Sequence, residues 1–374
     1  MKINRIEVHG LLGSDRPIIA QLNDDLNIIT GRNGSGKTTL MKLAWYIVSG
    51  NILLALKEVH FRRATVETEE YSITVHKVSH NTCRIDFSDK DGDVVFEDGY
   101  DDEGEHSNAE DPANRILMAT GGSVFLPTFR RIEGGFTLGE GRGAPSWNNS
   151  LFGSRSEKNS IESGLQQLST TLSNRQHIFV ASISTVDIAT ILLSQFTNLS
   201  DQYAQLQQET SQQVINNIKQ YEEGKDAGPI ENAKANAVIS KIKNMIEELD
   251  IRRETIMTPI EAVRNLVQKL IRKTGITFSS RLSFGDAASA INSDLLSAGE
   301  KQMLSFICYN AFYQNCVFFI DEPELSLHVD WQRQLFSILK DQKSSNQFIV
   351  ATHSPFIYNK YPDREILISA DRGD

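Results

Sequence analysis

The order of apolar and polar residues predicts a sheet-forming region at the start of the chain. Two segments predict strands with a turn between them: Ile3–Val8, which mixes apolar and polar residues, and Leu26–Thr30, which is mostly apolar. The second segment is followed by a glycine-rich loop over residues 31–37 and by a helix from Thr38 to Val48. Between residues 64 and 100, Thr, Val, Ile and Phe alternate with polar residues, which predicts an antiparallel sheet beside the main one.

A different composition begins near Val186 and continues to Lys273. Gln, Lys, Glu, Ile and Leu recur there at helical spacing, and Gly224–Pro229 interrupts them. This part of the chain therefore predicts a helical hairpin, with a further helix after Pro259. Each arm of about 30 residues would be roughly 45 Å long, which indicates a lobe or short coiled coil.

These patterns together predict an α/β head that a helical insertion divides in two. We expect the N-terminal half of the head over residues 1–185, the insertion over 186–275 and the C-terminal half over 276–374. A predicted strand near Ile276–Phe284 marks the return to the head. We expect loops at the acidic segment Glu97–Asp111 and at the glycine- and serine-rich segment Gly134–Gly164.

Composition and charge limit the class of protein. Of the 374 residues, 40% are hydrophobic and 23% are charged, which is typical of a globular protein. The net charge of −10 disfavours a surface broadly adapted to nucleic acid, although Arg62–Arg63 and Arg130–Arg131 could form local basic patches. Signal-peptide and membrane-spanning patterns are not seen, so we expect a cytoplasmic protein without a membrane partner.

The glycine-rich loop carries the first chemical motif. Residues 31–38 read Gly-Arg-Asn-Gly-Ser-Gly-Lys-Thr and fit the phosphate-binding P-loop, with a predicted strand before and a helix after. Glycines allow backbone N–H groups to surround phosphate oxygens. Lys37 is expected to reach the β- and γ-phosphates, and Thr38 to bind Mg²⁺. The predicted nucleotide-binding residues of this loop are Asn33, Gly34, Ser35, Gly36, Lys37, Thr38 and Thr39.

A second motif follows a strongly apolar run. Residues 316–320 predict a strand buried on both faces, and Asp321 and Glu322 come directly after that run. In open α/β sheets, ligands bind outside the carboxyl ends of the strands. We expect Asp321 to hold Mg²⁺ through a water molecule and Glu322 to act as the general base that polarises the attacking water.

A third motif, Leu296–Gln302, reads Leu-Ser-Ala-Gly-Glu-Lys-Gln and opens an apolar-striped helix. Its Ser-Ala-Gly-Glu portion is a capping box. The motif also resembles the signature sequence of ABC ATPases, with Ala298 in place of the more usual glycine. That resemblance implies that Ser297 and the backbone around Gly299 contact the γ-phosphate of ATP held by a second subunit.

The last motifs complete the resemblance to an ABC ATPase head. His353 follows a predicted strand, Phe348–Val350, and resembles the switch histidine that senses the γ-phosphate. Asp321–His328 resembles the Walker B and D-loop block of the stand-alone SMC, RecF and OLD-like group. The resemblance implies an ATPase that uses ATP and Mg²⁺, with Lys37, Glu322 and His353 as catalytic residues. It also implies a homodimer, or a higher homo-oligomer, that closes around ATP.

One departure concerns the glutamine that ABC heads carry between the P-loop and the signature. The sequence has no glutamine between Gln21 and Gln166. The segment Leu126–Glu133 could occupy that junction, and it resembles a stretch of the ATPase subunits of Septu-type and retron-linked anti-phage systems. Our hypothesis is that Glu133 takes over the contact to Mg²⁺ or water.

The Leu126–Glu133 segment, the short helical lobe and the Glu-Pro-Glu-Leu-Ser-Leu-His form of the D-loop favour, through this resemblance, a defence ATPase that regulates an effector. Because the chain ends soon after His353, we expect the effector nuclease to be encoded separately. A DNA-repair ATPase of the RecF or SMC-like type is the main alternative, so nucleic acid stays open as a partner. The ATPase subunit of a membrane transporter is a third alternative. The missing glutamine and the gap of roughly 260 residues between P-loop and signature count against it.

Overall fold

The computed structural model describes residues 1–100, 106–128, 131–132, 164–165, 167–183, 185–223, 236–256 and 297–369. The chain divides into two units. Unit 1 comprises Met1–Ser184 and Ser297–Asp374, and unit 2 comprises Thr185–Leu296. Among the described residues, no helix is both long enough and apolar enough to cross a membrane.

Strands and helices are numbered along the chain. The strands are β1 (Ile3–His9), β2 (Ile18–Gln21), β3 (Leu26–Thr30), β4 (Arg63–Thr68), β5 (Tyr71–Lys77), β6 (Cys83–Asp89), β7 (Gly92–Glu97), β8 (Gly99–Tyr100), β9 (His106–Ser107), β10 (Ser123–Leu126), β11 (Arg131–Ile132), β12 (His177–Phe179), β13 (Ser182–Ile183), β14 (Val317–Asp321), β15 (Gln347–Ala351) and β16 (Glu365–Leu367). The main helices are α1 (Lys37–Val48), α2 (Ile52–Glu58), α3 (Glu110–Ala119), α4 (Thr185–Glu223), α5 (236–256), α6 (Ala298–Phe312), α7 (Val329–Asp341) and α8 (Pro355–Tyr358).

A parallel sheet forms the centre of unit 1. Its strand order is β12-β10-β14-β15-β3-β16, and every neighbouring pair is parallel. Every residue of β3, β14 and β15 is buried, as expected for strands covered on both faces. Because the strands run in one direction, the carboxyl ends of β10, β14, β15 and β3 meet at one edge of the sheet.

A second, antiparallel sheet has the order β2-β1-β4-β5-β6-β7. Buried and partly exposed residues alternate along β4 and β5, because one face of this sheet packs on the core. The antiparallel sheet predicted for residues 64–100 is therefore confirmed. It also includes the predicted strand β1, which was not assigned to this sheet, and the short strand β2, which was not predicted.

The two sheets and helix α1 share one hydrophobic core. Trp45 of α1 is fully buried, and its ring centroid lies 5.4 Å from those of Phe125 and Phe179. The buried amide of Gln347 links the sheets. Its Oε1 accepts from the backbone N–H of Ile3 at 2.8 Å, and its Nε2 donates to the Ile3 carbonyl at 2.7 Å.

Helices α4 and α5 belong to unit 2 and lie beside one another. Lys241 Nζ of α5 donates to Asn217 Oδ1 of α4 at 2.9 Å. The predicted α/β fold, with a P-loop core sheet, an antiparallel sheet and helical segments between its halves, is confirmed. The break at Gly224–Pro229, the helix after Pro259 and the strand Ile276–Phe284 lie outside the described residues.

The acidic segment Glu97–Asp111 differs from the expected loop. Within its described residues, β7 ends at Glu97, the short strands β8 and β9 pair, and α3 begins at Glu110. Glu110 and Asp111 lie in the first turn of α3, where carboxylates interact favourably with the helix dipole. The expected glycine-rich loop falls on residues outside the described ones, except for Gly164.

Candidate functional site

The predicted P-loop lies between β3 and α1, at the carboxyl edge of the parallel sheet. Gly34 and Gly36 have φ angles of 78° and 93°, which residues with a Cβ rarely adopt. An added Cβ at Gly31 would lie 2.8 Å from Ser369 Oγ and 2.9 Å from Ser35 Oγ, so the loop is too tightly packed there for a larger residue. The glycines are thus required by the geometry of the loop.

The loop has the properties of an anion site. The Ser35 hydroxyl oxygen is buried and has no hydrogen-bond partner among the described residues. Gly36 is the N-cap of α1, whose first backbone N–H groups lack helical partners, and the first turn has no acidic side chain. Asn33 is exposed in the loop, and Thr39 lies in the first turn of α1. An unpartnered hydroxyl beside a helix N-terminus fits a phosphate group.

Lys37 is buried, and its Nζ contacts the loop and a second strand end. The ammonium donates to the carbonyls of Gly31 at 3.0 Å and Arg32 at 3.3 Å, and lies 2.5 Å from His353 Nε2. Because an ammonium group has only donors, Nε2 must accept, and the neutral ring carries its proton on Nδ1. Burial and then the charge of Lys37 lower the pKa of His353, which favours this neutral form.

Asp321 ends β14 and is fully buried. Thr38 Oγ1 donates to its carboxylate and lies 2.9 Å from each oxygen. Thr128, two residues after β10, also donates a hydrogen bond to Asp321 Oδ2. A hydroxyl and a carboxylate are the oxygen ligands that Mg²⁺ prefers. Thr38 and Asp321 therefore fit the predicted metal site, whereas the contribution of Thr128 was not predicted.

Glu322 follows Asp321 with a φ of 47°, which is unusual for a residue with a side chain. Its carboxylate lies 3.6 Å from His353 Nε2. Burial raises the pKa of Glu322 to about 8, reinforced by a hydrogen bond to Glu324 and by the charges of Glu324 and Asp321, and opposed by Lys37. For Lys37, burial lowers the pKa, and the charges of Glu322, Asp321 and Glu324 oppose this effect.

Glu324 is a second residue that the sequence analysis did not select. Its Oε1 accepts from the hydroxyl of Thr352 and from the backbone N–H of His353, both at 2.7 Å. The Asp-Glu-Pro-Glu spacing was a usable signal, because it places three carboxylates at the end of one parallel strand. Glu324 joins the loop after β14 to the loop after β15.

The signature motif begins helix α6. Ser297 forms the predicted capping box, in which its Oγ accepts from the Glu300 N–H and the Glu300 carboxylate accepts from the Ser297 N–H. An added Cβ at Gly299 would lie 2.4 Å from the Ser326 carbonyl oxygen. Within the described part of the chain, no hydrogen bond joins Ser297 or Gly299 to the P-loop.

The structure therefore brings together Lys37, Thr38, Asp321, Glu322 and His353. Glu133, proposed to replace the missing glutamine, lies outside the described residues, as does Arg130. Among the described residues, no cluster of three or more His, Cys, Asp or Glu side chains is arranged to hold a metal ion. The candidate Mg²⁺ ligands are instead one hydroxyl and one carboxylate.

Comparison with known proteins gives a family match over most of the chain. The model of the AAA ATPase domain family matches residues 1–358. No curated protein matches the chain significantly.

Three solved structures are similar at low sequence identity. One is the Smc head domain with an extended coiled coil, bound to the C-terminal domain of ScpA, from Pyrococcus furiosus; it is 13% identical, with 100% of this chain and 94% of that chain covered and a TM-score of 0.39. A second SmcHead, bound to the C-winged helix domain of ScpA, is 12% identical, with 100% and 96% covered and a TM-score of 0.40. The Smc head domain with a coiled coil and joint from Pyrococcus yayanosii is 12% identical, with 100% and 96% covered and a TM-score of 0.41. TM-scores at this level assign no function.

Proposed function

Because this chain belongs to the AAA ATPase domain family, we propose that the carboxyl edge of its parallel sheet binds Mg·ATP and hydrolyses it to ADP and phosphate. One observation carries this proposal. Lys37, Thr38, Asp321, Glu322 and His353 come from three strand ends that are distant in sequence, and direct contacts join them at one edge.

In this proposal, the loop from Asn33 to Gly36 surrounds the phosphates with backbone N–H groups, and Thr38 and Thr39 extend the cradle into α1. The Lys37 ammonium exchanges its contacts with the loop carbonyls and His353 for the β- and γ-phosphates. The Thr38 hydroxyl and Asp321 hold Mg²⁺, with Asp321 acting through a water molecule. When bound, Mg²⁺ neutralises charge on the phosphate oxygens.

Hydrolysis requires a base beside the γ-phosphate. Glu322 accepts a proton from water as the water oxygen bonds to the γ-phosphorus, and the bond from that phosphorus to the bridging oxygen breaks, releasing ADP. Only the carboxylate form can accept the proton. Burial and the neighbouring carboxyls of Glu324 and Asp321 disfavour that form and raise the pKa of Glu322 to about 8, whereas the charge of Lys37 favours it. Once Lys37 has turned to the nucleotide, Nε2 of His353 no longer accepts from the ammonium, so the ring can carry a proton on Nε2 and donate it to the γ-phosphate as its sensor.

We further propose that two copies of the chain enclose two ATP molecules. Support comes from the exposed first turn of α6, where Ser297 caps the helix and Gly299 packs against Ser326. Helix N-termini bind anions, so the signature of one copy suits the γ-phosphate held by the other.

Light scattering in Mg·ATP tests the paired arrangement. We expect the Glu322→Gln protein to have the mass of a dimer, and Lys37→Ala in the same background to return it to a monomer. Ser297→Arg should also give a monomer but keep the ATP affinity of the single chain. A Glu322→Gln protein that stays monomeric in Mg·ATP would contradict the arrangement, and loss of ATP binding in Ser297→Arg would contradict the role given to Ser297.

For the biological role, we propose a defence ATPase that controls a separately encoded effector nuclease. The Leu126–Glu133 segment and the Glu-Pro-Glu-Leu-Ser-Leu-His block support this role through their resemblance to anti-phage ATPases. Mass spectrometry of material that co-purifies with Glu322→Gln from the native host in Mg·ATP separates it from DNA repair. A stoichiometric nuclease is expected, whereas recovery of DNA without a protein partner would favour a repair ATPase.

A further inference from the structure

Two loops at the catalytic edge are joined by hydrogen bonds that centre on Glu324. This side chain uses one oxygen, Oε1, to accept from both the Thr352 hydroxyl and the His353 N–H, at 2.7 Å each. Thr352 is almost fully buried, so its hydroxyl has no competing water.

A second connection joins the same loops and depends on Gln332 of α7. Its Oε1 accepts from Ser354 Oγ at 2.7 Å, and its Nε2 donates to the Leu327 carbonyl at 2.8 Å. The His353 loop is therefore held from both sides. Glu324 accepts from the Thr352 hydroxyl and from the His353 backbone N–H, and Gln332 accepts from the Ser354 hydroxyl.

The position of His353 depends on this backbone support. Its side chain is 36% exposed, so packing alone does not fix the ring. The ring nevertheless lies 2.5 Å from Lys37 Nζ and 3.6 Å from Glu322 Oε1. A small movement of the His353 backbone would separate Nε2 from both groups, because hydrogen bonds weaken steeply with distance and angle.

We propose that Glu324 is a positioning residue for ATP hydrolysis, which holds the His353 backbone so that the imidazole reaches Lys37, Glu322 and the γ-phosphate. This inference rests on the proposed ATPase activity and on the sensing role of His353. It requires an acceptor oxygen at the position of Oε1, not a negative charge there. Glu324 thereby couples the loop that carries the general base to the loop that carries the sensor.

The experiment compares kcat and KM for ATP in Glu324→Ala, Glu324→Gln, His353→Ala and the double variant Glu324→Ala/His353→Ala. Loss of two hydrogen bonds in Glu324→Ala should lower kcat by about 30-fold and change KM by less than about 3-fold. Glu324→Gln keeps an acceptor oxygen and should restore most of the lost rate. Thr352→Val removes one donor to Glu324 and also the acceptor of the Ser354 N–H, and should lower kcat by about 5-fold or more.

The double variant separates positioning from a general structural role. If Glu324 acts through His353, the double variant should be no slower than His353→Ala, because the two changes act on one interaction. Full addition of the two losses would overturn the proposal. A Glu324→Gln protein as slow as Glu324→Ala, or a His353→Ala protein as fast as wild type, would also overturn it. A wild-type protein that releases no phosphate would instead contradict the proposed ATPase function itself.

Discussion

The close approach of Gly299 to Ser326 gives a prediction in which two physical effects have opposite signs. Alanine is more favourable than glycine by up to about 1 kcal/mol in a helix interior, and Gly299→Ala in the first turn of α6 would ordinarily stabilise the helix by less than this. Here the new Cβ would lie 2.4 Å from the Ser326 carbonyl oxygen, which is far inside normal contact. Forcing an extra carbon into a packed site costs about 1–3 kcal/mol.

The loop around Ser326 has little freedom to move away. Ser326 itself has a φ of 69°, and the neighbouring Leu327 N–H donates to the Glu324 carbonyl at 2.9 Å. We therefore expect the steric cost to exceed the gain in helix propensity, with a net loss of about 1–2 kcal/mol. For a unit of this size, the apparent Tm should fall by about 2–8 °C.

Thermal unfolding of Gly299→Ala and a matched control measures this effect. Gly164 also has a helical backbone, and an added Cβ there meets no atom of the described residues within 4 Å. Gly164→Ala should therefore leave the Tm unchanged or raise it slightly. A Gly299→Ala protein that is as stable as Gly164→Ala would refute the argument, because it would show that the Ser326 carbonyl is not so close.

Three further predictions concern the core and the metal site. Burial lowers the pKa of His177 to about 4 from an ordinary value of 6.5, so its stabilising contribution is complete above pH 6.5 and is lost as the pH falls towards 4. The free energy of unfolding of wild type, measured with urea, should therefore fall by about 2 kcal/mol between pH 7 and pH 5 through this group. His177→Gln should remove that part of the pH dependence, and an unchanged pH dependence in this variant would contradict the prediction. Gln347→Leu leaves the Ile3 N–H, the Ile3 carbonyl and the Asn23 carbonyl without their buried partner. It should lower the free energy of unfolding, measured with urea, by about 3 kcal/mol or more. A loss below about 1 kcal/mol would show that the link between the sheets is unimportant. Thr128→Val removes a hydrogen bond to Asp321 and should raise the Mg²⁺ concentration for half-maximal ATP turnover by about 10-fold. Thr128→Ser keeps the hydroxyl and should stay close to wild type. Equal Mg²⁺ requirements in the two variants would exclude a role of the Thr128 hydroxyl in orienting Asp321.

The sequence predicted the central strands because their pattern is local and strong. Val317–Ile320 is an unbroken apolar run that Asp321 and Glu322 follow, and Leu26–Thr30 is mostly apolar and leads into the glycine-rich loop; both are buried strands of the parallel sheet. Since parallel strands expose their carboxyl ends at one edge, the meeting of Lys37 with His353, and of Thr38 with Asp321, follows from the strand order.

The missed parts depend on contacts between distant residues. β10 has four residues and β12 has three, too few for a periodic pattern, and β10 is defined by pairing with β14 nearly two hundred residues away. The hydrogen bond from Thr128 to Asp321 spans 193 positions for the same reason. Glu324 was missed because its partners, Thr352 and the backbone of His353, become neighbours only when β14 and β15 pair.

Phosphate release from ATP by purified wild-type and Glu322→Gln proteins tests the central claim most directly. ATP binding to both is measured alongside with a fluorescent analogue. We expect steady phosphate release by wild type and a loss of at least about 100-fold in Glu322→Gln with binding retained, since a positioned general base contributes about 10²–10⁴-fold. Release at the wild-type rate by Glu322→Gln would contradict it, because the reaction would then not depend on the carboxylate at the end of β14.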